Sequence, residues 1–193
     1  MSLTPSTMLP LGTLAPAFRL PDVTTGQQVS LDDFSRFDAL LVTFICRHCP
    51  YVKHIEKELA RLGRDYARKS VGIVAISSND AETHPDDGPT FLKEQAREAG
   101  FSFPYLYDET QATAKAYSAA CTPDFFLFDK GRRLVYRGQL DDSRPGNNKP
   151  LTGKDLRAAI QAVLTSQPVT LKQFPSTGCN IKWKPGTPPT SIQ

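Results

Sequence analysis

The chain has 193 residues, a formal net charge of +3, 39% hydrophobic residues and 22% charged residues. This length and mixture suit one globular domain with a packed core and a small appendage. No stretch approaches the roughly 20 apolar residues of a membrane-spanning helix, and the basic residues are too few and too scattered to indicate nucleic-acid binding. We therefore expect neither a membrane nor a nucleic acid among its partners.

The cysteine content and the first residues bear on the cellular compartment. The first fifteen residues hold no basic segment, and Pro5 and Pro10 interrupt their apolar content, so we expect no cleavable signal and a cytoplasmic location. Four cysteines are too few for a disulfide scaffold, and structural disulfides do not persist in a reducing compartment. Closely spaced cysteines there more often carry redox chemistry or bind a metal.

The first half of the chain predicts a hairpin, a buried strand and a helix, in that order. Short segments at 17–20 and 28–31, separated by a turn, are typical of an N-terminal β-hairpin. The continuous apolar run 40–45 predicts a buried strand. Apolar residues at three- and four-residue steps predict an amphipathic helix over 51–69, with Pro50 in its first turn.

The alternation of strands and helices continues to about residue 165. Strands are predicted at 71–77, 104–107, 124–128 and 134–137, and helices at 90–99, 110–119 and 153–165. This order predicts an α/β fold with a central mixed sheet covered by helices on both faces. We expect one domain over 10–166, and an irregular, Pro-rich C-terminal tail over 167–193 that packs on or near it.

The motif Cys46-Arg47-His48-Cys49 stands where the strand 40–45 ends and the helix begins. Two thiols at this spacing can close a disulfide or bind a soft metal. Unpaired N–H groups at a helix N-terminus stabilise a thiolate. Basic side chains around the pair should favour the thiolate further, namely Arg47, His48, Lys53 and His54. We expect both thiols to be accessible to water and to partner molecules.

With these motifs in place, the chain resembles the thioredoxin-fold redoxins, and most closely the alkyl hydroperoxide reductase/thiol-specific antioxidant (AhpC/TSA) family, over about residues 10–165. The landmarks are Gly12-x-x-Ala15-Pro16-x-Phe18-x-Leu20, the strand ending in Cys-x-x-Cys, the segment from Cys121 to Phe128 and the hairpin after it. The tail segment Gly178–Trp183 is similar to that of uncharacterised members of this branch. The resemblance implies a thioredoxin fold and a cis Thr122–Pro123 bond beside the redox cysteines.

The resemblance also implies a reaction. In a typical thioredoxin the first active cysteine comes five residues after a strand phenylalanine, which here gives Cys49 from Phe44. We assign Cys49 as the attacking thiol and Cys46 as the resolving thiol, although spacing alone leaves the reverse assignment open. The thiolate would attack a protein or small-molecule disulfide, and a thiol electron donor would regenerate the pair without a cofactor. His48 is expected either to tune the adjacent thiol or only to cap the helix.

Two other functions stay open. A thiol peroxidase of the peroxiredoxin kind uses Pro-x-x-x-Thr-x-x-Cys; Thr43-x-x-Cys46 fits its second half, but Ala39 replaces the proline. Such an enzyme would act on peroxides and needs an arginine, for which the candidates are Arg132, Arg133 and Arg137. A soft-metal protein is the third interpretation, in which Cu(I) or Zn(II) is bound by Cys46, Cys49 and either His48 or His54.

The remaining cysteines are candidates for accessory roles. Cys121 stands two residues before Pro123, so it either lies near the site or is a small buried hydrophobic residue. Cys179 lies in the tail, where an exchange with Cys121 or a resolving role from the tail are both open interpretations. We expect Trp183 to anchor the tail.

Overall fold

A computed structural model of the chain describes residues 3–187. Its strands are β1 (Leu3–Pro5), β2 (Arg19–Pro21), β3 (Gln28–Ser30), β4 (Ala39–Phe44), β5 (Val71–Ser77), β6 (Tyr105–Tyr107), β7 (Cys121–Thr122), β8 (Asp124–Phe128), β9 (Leu134–Arg137) and β10 (Thr177–Asn180). Its α-helices are α1 (Pro50–Tyr66), α2 (Pro89–Ala99), α3 (Ala112–Ala116) and α4 (Lys154–Leu164), with short 3-10 helices at Leu31–Phe34 and Pro85–Asp87.

The central sheet has five strands in the order β6-β5-β4-β8-β9. Strand β4 pairs in parallel with β5 and antiparallel with β8, and β5 pairs in parallel with β6. All six residues of β4 are buried, because it is a central strand that is covered on both faces. The predicted mixed sheet is therefore confirmed, and β4 leads directly from its centre to the cysteine motif.

Alternate residues of the central strands face two apolar layers. Leu41 belongs to the larger layer, which packs against the helices α1, α2 and α4. Leu40 belongs to the smaller layer, which packs against the N-terminal segment, the 3-10 helix at Leu31–Phe34 and α3. Helices thus cover both faces, as predicted for an α/β fold.

The helix and hairpin bounds agree closely with the sequence pattern. Strands β2 and β3 form the predicted N-terminal hairpin, and α1 begins at Pro50. The largest difference is α3, which is five residues long rather than the ten predicted over 110–119. Ser118 has a φ of 50°, so the helical conformation cannot continue through it. No helix among residues 3–187 has both the length and the apolar content to cross a membrane.

The prediction of an irregular tail is wrong at one place. Residues Thr177–Asn180 form β10, the middle strand of a second sheet in the order β1-β10-β7. The pattern did not show this strand because its sequence, Thr-Gly-Cys-Asn, has no apolar alternation and its partners are distant in the chain. Strand β1 was missed for the same reason. The last six residues of the predicted tail, 188–193, lie outside the described residues.

Candidate active site

The two cysteines of the motif lie between the end of β4 and the start of α1. Cys49 is the N-cap of α1, with an extended backbone (φ −69°, ψ 122°), and Pro50 is the first helical residue. Pro at this position costs no hydrogen bond and fixes the start of the helix immediately after the thiol. The expected accessibility is wrong, since the relative exposure of both Cys46 and Cys49 is 0%.

Thr122 contacts both sulfur atoms of the motif. The Thr122–Pro123 bond is cis, as the resemblance implied. The Thr122 hydroxyl lies 3.4 Å from Cys46 Sγ, and the thiol of Cys49 can donate a hydrogen bond to the Thr122 carbonyl oxygen, 3.1 Å away. The predicted site residues Cys46, Cys49, Thr122 and Pro123 are therefore brought together.

A third thiol from the tail completes the cluster. Strand β10 pairs antiparallel with β7, with Cys179 opposite Thr122. Directly opposed residues of neighbouring strands point to the same face, so Cys179 and Thr122 both face the motif. Cys179 Sγ lies 2.9 Å from Cys49 Sγ. We call Cys46, Cys49 and Cys179 the thiol cluster.

The electrostatics of the thiol cluster favour one anion and two neutral thiols. The pKa of Cys49 is lowered to about 5, first by the hydrogen bond from Cys46 and then by that from Cys179, against the opposing effect of burial. The Val52 N–H in the first turn of α1 also favours the anion. The Cys49 side chain does not, however, form an N-cap hydrogen bond of regular geometry. The hydrogen bond to Cys49 and burial raise the pKa of Cys46 well above its usual range. Burial and the neighbouring Cys49 raise the pKa of Cys179 to about 12.

The basic residues near the motif do not account for the lowered pKa of Cys49. Arg47 forms an ion pair with Glu94 at 3.5 Å and lies over the ring of Phe91. His48 is paired with Asp87, and His54 Nε2 lies 2.8 Å from Ser143 Oγ. Hydrogen bonds from neighbouring thiols therefore lower this pKa in place of the expected electropositive surroundings. Arg47 and His48 are paired with carboxylates, and His54 is paired with a hydroxyl.

A buried carboxylate that sequence reasoning missed lies on the Cys46 side. Asp87 accepts hydrogen bonds from the backbone N–H groups of Arg47 (2.8 Å) and His48 (3.2 Å) and from Asn79 Nδ2 (2.8 Å), besides its pairing with the His48 ring. Burial alone would raise its pKa, but the donors from His48 and Asn79 outweigh burial and lower it. Asp87 follows the motif by nearly 40 residues, so no spacing rule connects the two.

The same region holds a candidate set of metal ligands. One donor atom each from Cys46, His48 and Asp87 lies within 4.8 Å of the others, a sulfur, nitrogen and oxygen set that zinc accepts. Asp87, however, is already an acceptor for four protein donors. Its lone pairs stabilise the loop that carries the motif, so the arrangement fits a structural carboxylate better than a ligand.

The other predicted residues lie at varying distances from the chemistry. Thr43 donates its hydroxyl to the carbonyl of Asp124 at 3.0 Å. Cys121 is paired with Asn180, and its side chain faces away from Thr122 because neighbouring strand residues alternate. Trp183 packs against the smaller apolar layer, with Lys115 over its ring, as expected for an anchor.

The arginines proposed for peroxide activation have partners elsewhere. Arg132 donates to the carbonyl of Phe37, and Arg133 donates to that of Gly12. Arg137 is buried beside Asp124 and donates to Thr7 and Ser118.

This fold and this cysteine turn define a thioredoxin-like protein. The chain belongs to the AhpC/TSA family, whose model matches residues 11–137. An uncharacterized conserved protein from Geobacillus kaustophilus is similar over 97% of this chain and 99% of its own, with 55% identity and a TM-score of 0.95. A hypothetical protein from Sinorhizobium meliloti 1021 shares 50% identity over 95% of this chain and 100% of its own, with a TM-score of 0.93.

More distant structures share the fold. The thioredoxin domain of a thiol-disulfide oxidoreductase from Bacteroides vulgatus is 21% identical, with a TM-score of 0.58, over 70% of this chain and 90% of its own. No curated protein matches the sequence.

Proposed function

We propose that the chain is a thiol–disulfide oxidoreductase in which Cys49 attacks a substrate disulfide and Cys46 resolves the mixed disulfide. The supporting observation is the position of Cys49 at the N-cap of α1, with its pKa lowered to about 5, beside Cys46, whose pKa is raised. Thiol–disulfide exchange needs a thiolate to attack and a second thiol within reach that stays protonated until it is needed.

The neighbouring residues have positioning roles in this proposal. Thr122 touches both sulfur atoms and keeps Cys46 beside Cys49. Pro123 follows it, and the Pro123 carbonyl accepts from the Ser176 hydroxyl, which ties the tail to this turn. His48 acts through Asp87, which holds the backbone of the motif.

The partners follow from the chemistry. The substrate is a protein or small-molecule disulfide, and a thiol donor returns the oxidised pair to the reduced state. Because Cys49 is buried, the substrate must displace part of the structure above it. The cytoplasmic location stays a prediction.

A peroxidase is the alternative from the sequence. It receives less support, because the Thr43 hydroxyl is bonded to the carbonyl of Asp124, and Arg132 and Arg133 donate to backbone carbonyls. Peroxide consumption and disulfide reduction, measured on the same protein with the same thiol donor, separate the two functions.

The decisive experiment leaves Cys49 as the only thiol of the cluster. The double variant Cys46→Ser/Cys179→Ser, treated with glutathione disulfide, should retain a mixed disulfide on Cys49, identified by peptide mass spectrometry. Cys49→Ser should form no adduct in the cluster, and Cys121→Ser should behave as the unaltered chain. An adduct on Cys46 in the Cys49→Ser variant, with none on Cys49 in the double variant, would reverse the assignment.

A further inference from the structure

The tail strand β10 is fitted closely to the segment before Pro123. A Cβ atom added to Gly178 would lie 2.0 Å from the Thr122 carbonyl oxygen and 2.7 Å from its carbonyl carbon. Only glycine therefore lets β10 approach β7 this closely. The residue that follows is Cys179, so this close approach also sets how near the tail sulfur comes to Cys49.

The tail is fastened on both sides of this point. Before β10, the Ser176 hydroxyl donates to the Pro123 carbonyl at 2.6 Å. After it, the Ile181 N–H donates to the Ala120 carbonyl at 3.1 Å, and the Lys182 N–H donates to Asn79 Oδ1 at 2.8 Å. Cys179 is thus held between fixed points and does not reach Cys49 by a swinging motion of a loose segment.

The sulfur positions are close to those of a bonded pair. A disulfide bond is about 2.05 Å long, and Cys49 Sγ and Cys179 Sγ are 2.9 Å apart. Bond formation requires the two atoms to close by less than about 1 Å.

We propose that Cys179 is a third redox-active cysteine, which resolves a mixed disulfide on Cys49 by forming a Cys49–Cys179 disulfide that Cys46 then reopens. This inference rests on the proposed function, because it assumes that Cys49 receives the substrate. It adds a catalytic thiol outside the Cys-x-x-Cys motif and gives β10 a role in the reaction.

The sequence of exchanges balances. The Cys49 thiolate attacks a substrate disulfide, forms the mixed disulfide and releases one substrate thiolate. Cys179 passes its proton to that first leaving group and becomes a thiolate. The Cys179 thiolate then attacks the Cys49 sulfur and releases the second substrate thiolate. Cys46 then attacks the Cys49 sulfur of the Cys49–Cys179 bond; the Cys46–Cys49 disulfide forms, and Cys179 takes up the proton that Cys46 gives up.

The protonation states fit this order. While Cys49 is an anion, its hydrogen bond and burial hold Cys46 in its protonated form. Burial, followed by the hydrogen bond and the charge of Cys49, holds Cys179 in its protonated form. A mixed disulfide on Cys49 removes that charge, so the pKa of each neighbour falls when it must act as a nucleophile. Either neighbour can then resolve the adduct.

The position of Cys179 also explains how a buried thiolate is protected. The Thr122 carbonyl oxygen lies 3.1 Å and Cys179 Sγ lies 2.9 Å from Cys49 Sγ, so both cover the Cys49 sulfur. An incoming disulfide therefore has to open this contact before it reaches the Cys49 sulfur, and Cys179 is the thiol that meets that sulfur when the contact closes again. The contact between Cys179 and Cys49 therefore both covers the thiolate and places the thiol that resolves the mixed disulfide.

The test compares Cys46→Ser with Cys46→Ser/Cys179→Ser in the full chain. Both are treated with glutathione disulfide, alkylated and mapped by peptide mass spectrometry. Cys46→Ser should yield a Cys49–Cys179 disulfide and at least roughly ten-fold less glutathione adduct than the double variant, because an intramolecular thiol acts at an effective concentration of millimolar or more. Cys46→Ala replaces Cys46→Ser if the buried hydroxyl prevents folding.

The outcomes separate this inference from the proposed function. Equal adduct on Cys49 in both variants, with no Cys49–Cys179 peptide, overturns the role of Cys179 and leaves the oxidoreductase proposal intact. Diamide, which oxidises dithiols directly, provides a second measurement on Cys46→Ser. A Cys49–Cys179 disulfide formed with diamide supports the inference even if glutathione disulfide never reacts. A failure of glutathione disulfide to react would then count against the proposed function alone. If neither reagent yields a Cys49–Cys179 disulfide, the inference is overturned.

Discussion

The thiol cluster lies between two unlike regions. On the tail side, formed by Thr122, Gly178 and Cys179, backbone atoms and sulfur atoms are in close contact, and these three residues carry no carboxylate or basic group. On the carboxylate side, formed by His48, Asn79 and Asp87, a buried charge is surrounded by hydrogen-bond donors. Steric fit governs the first region and charge compensation governs the second, so different substitutions should disturb them.

Two buried carboxylates show how much the donors matter. Asp87 and Asp124 both have side chains with no exposed surface, yet the pKa of Asp87 is lowered and that of Asp124 is raised to about 6 by burial. Asp124 accepts from the Ser6 hydroxyl at 2.7 Å and, at the longer distance of 3.3 Å, from the Ala120 N–H, and has Arg137 only at 3.8 Å. Asp87 has four donors, which outweigh the cost of burial.

The largest effect is expected from a substitution on the tail side that disrupts the packing of β10 against β7. Gly178→Ala places a Cβ against the Thr122 carbonyl and should push β10 away from β7. If this contact costs about 2–4 kcal/mol, local opening of the tail and the alkylation rate of Cys49 should rise roughly 30- to 1,000-fold. Timed alkylation followed by mass spectrometry of the Cys49 peptide measures the rate.

A matched control supports that measurement. Gly131→Ala adds a Cβ that meets Asp129 Oδ1 at 3.4 Å, an ordinary contact far from the cluster. It should leave the alkylation rate of Cys49 unchanged. Equal rates in Gly178→Ala and Gly131→Ala would mean that β10 does not protect Cys49.

The second prediction concerns the carboxylate side. Asp87→Asn removes the charge that the His48 ring and Asn79 compensate, and should lower the free energy of unfolding by about 3 kcal/mol. It should also lower the pKa of Cys46, because the charge of Asp87 contributes to raising it. Urea unfolding and the ultraviolet absorbance of the thiolates measure the two effects.

Asp86→Asn is the neighbouring control, because Asp86 is exposed. Its unfolding curve and thiolate titration should match those of the unaltered chain. If Asp87→Asn also leaves both unchanged, the carboxylate does not stabilise the motif.

The sequence could predict the local features of the site but not the contacts between distant parts of the chain. The run 40–45, the position of Pro50 and the motif place Cys46 and Cys49 at a strand-to-helix turn, because these signals are local. The contact of Cys179 with Cys49 spans 130 residues, and that of Asp87 with His48 spans 39. Such contacts depend on the tertiary fold, and a strand as short as β10 leaves no periodic signal.

The accessibility of the thiols could not be predicted for a related reason. A motif fixes which residues stand at the helix N-terminus, but it does not show what covers them. Gly178 was the available signal, since a glycine beside a cysteine in a Pro-rich tail is compatible with close approach of two backbones. Its meaning depended on knowing that Thr122 lies opposite.

The smallest expected effect sharpens the contrast between the two carboxylates. An unfolded Asp titrates near pKa ~3.9, whereas the pKa of Asp124 in the folded chain is raised to about 6. The folded state therefore binds this proton more tightly, and the resulting stability is full below about pH 4 and is lost as the pH rises through about 6. Asp124→Asn, which cannot titrate, should remove at most about 3 kcal/mol of this pH dependence.

The measurement is the slope of unfolding free energy against pH, since the absolute stability of Asp124→Asn also reflects the lost partner of Arg137. Of the groups facing Asp124, Arg137 stays charged and Cys121, whose pKa burial raises well above its usual range, stays neutral over this interval. The change in slope is therefore assigned to Asp124 itself. Asp32→Asn, at an exposed position, should keep the slope of the unaltered chain. Parallel curves for Asp124→Asn and the unaltered chain between about pH 4 and 6 would show that the Asp124 carboxylate is compensated as fully as that of Asp87.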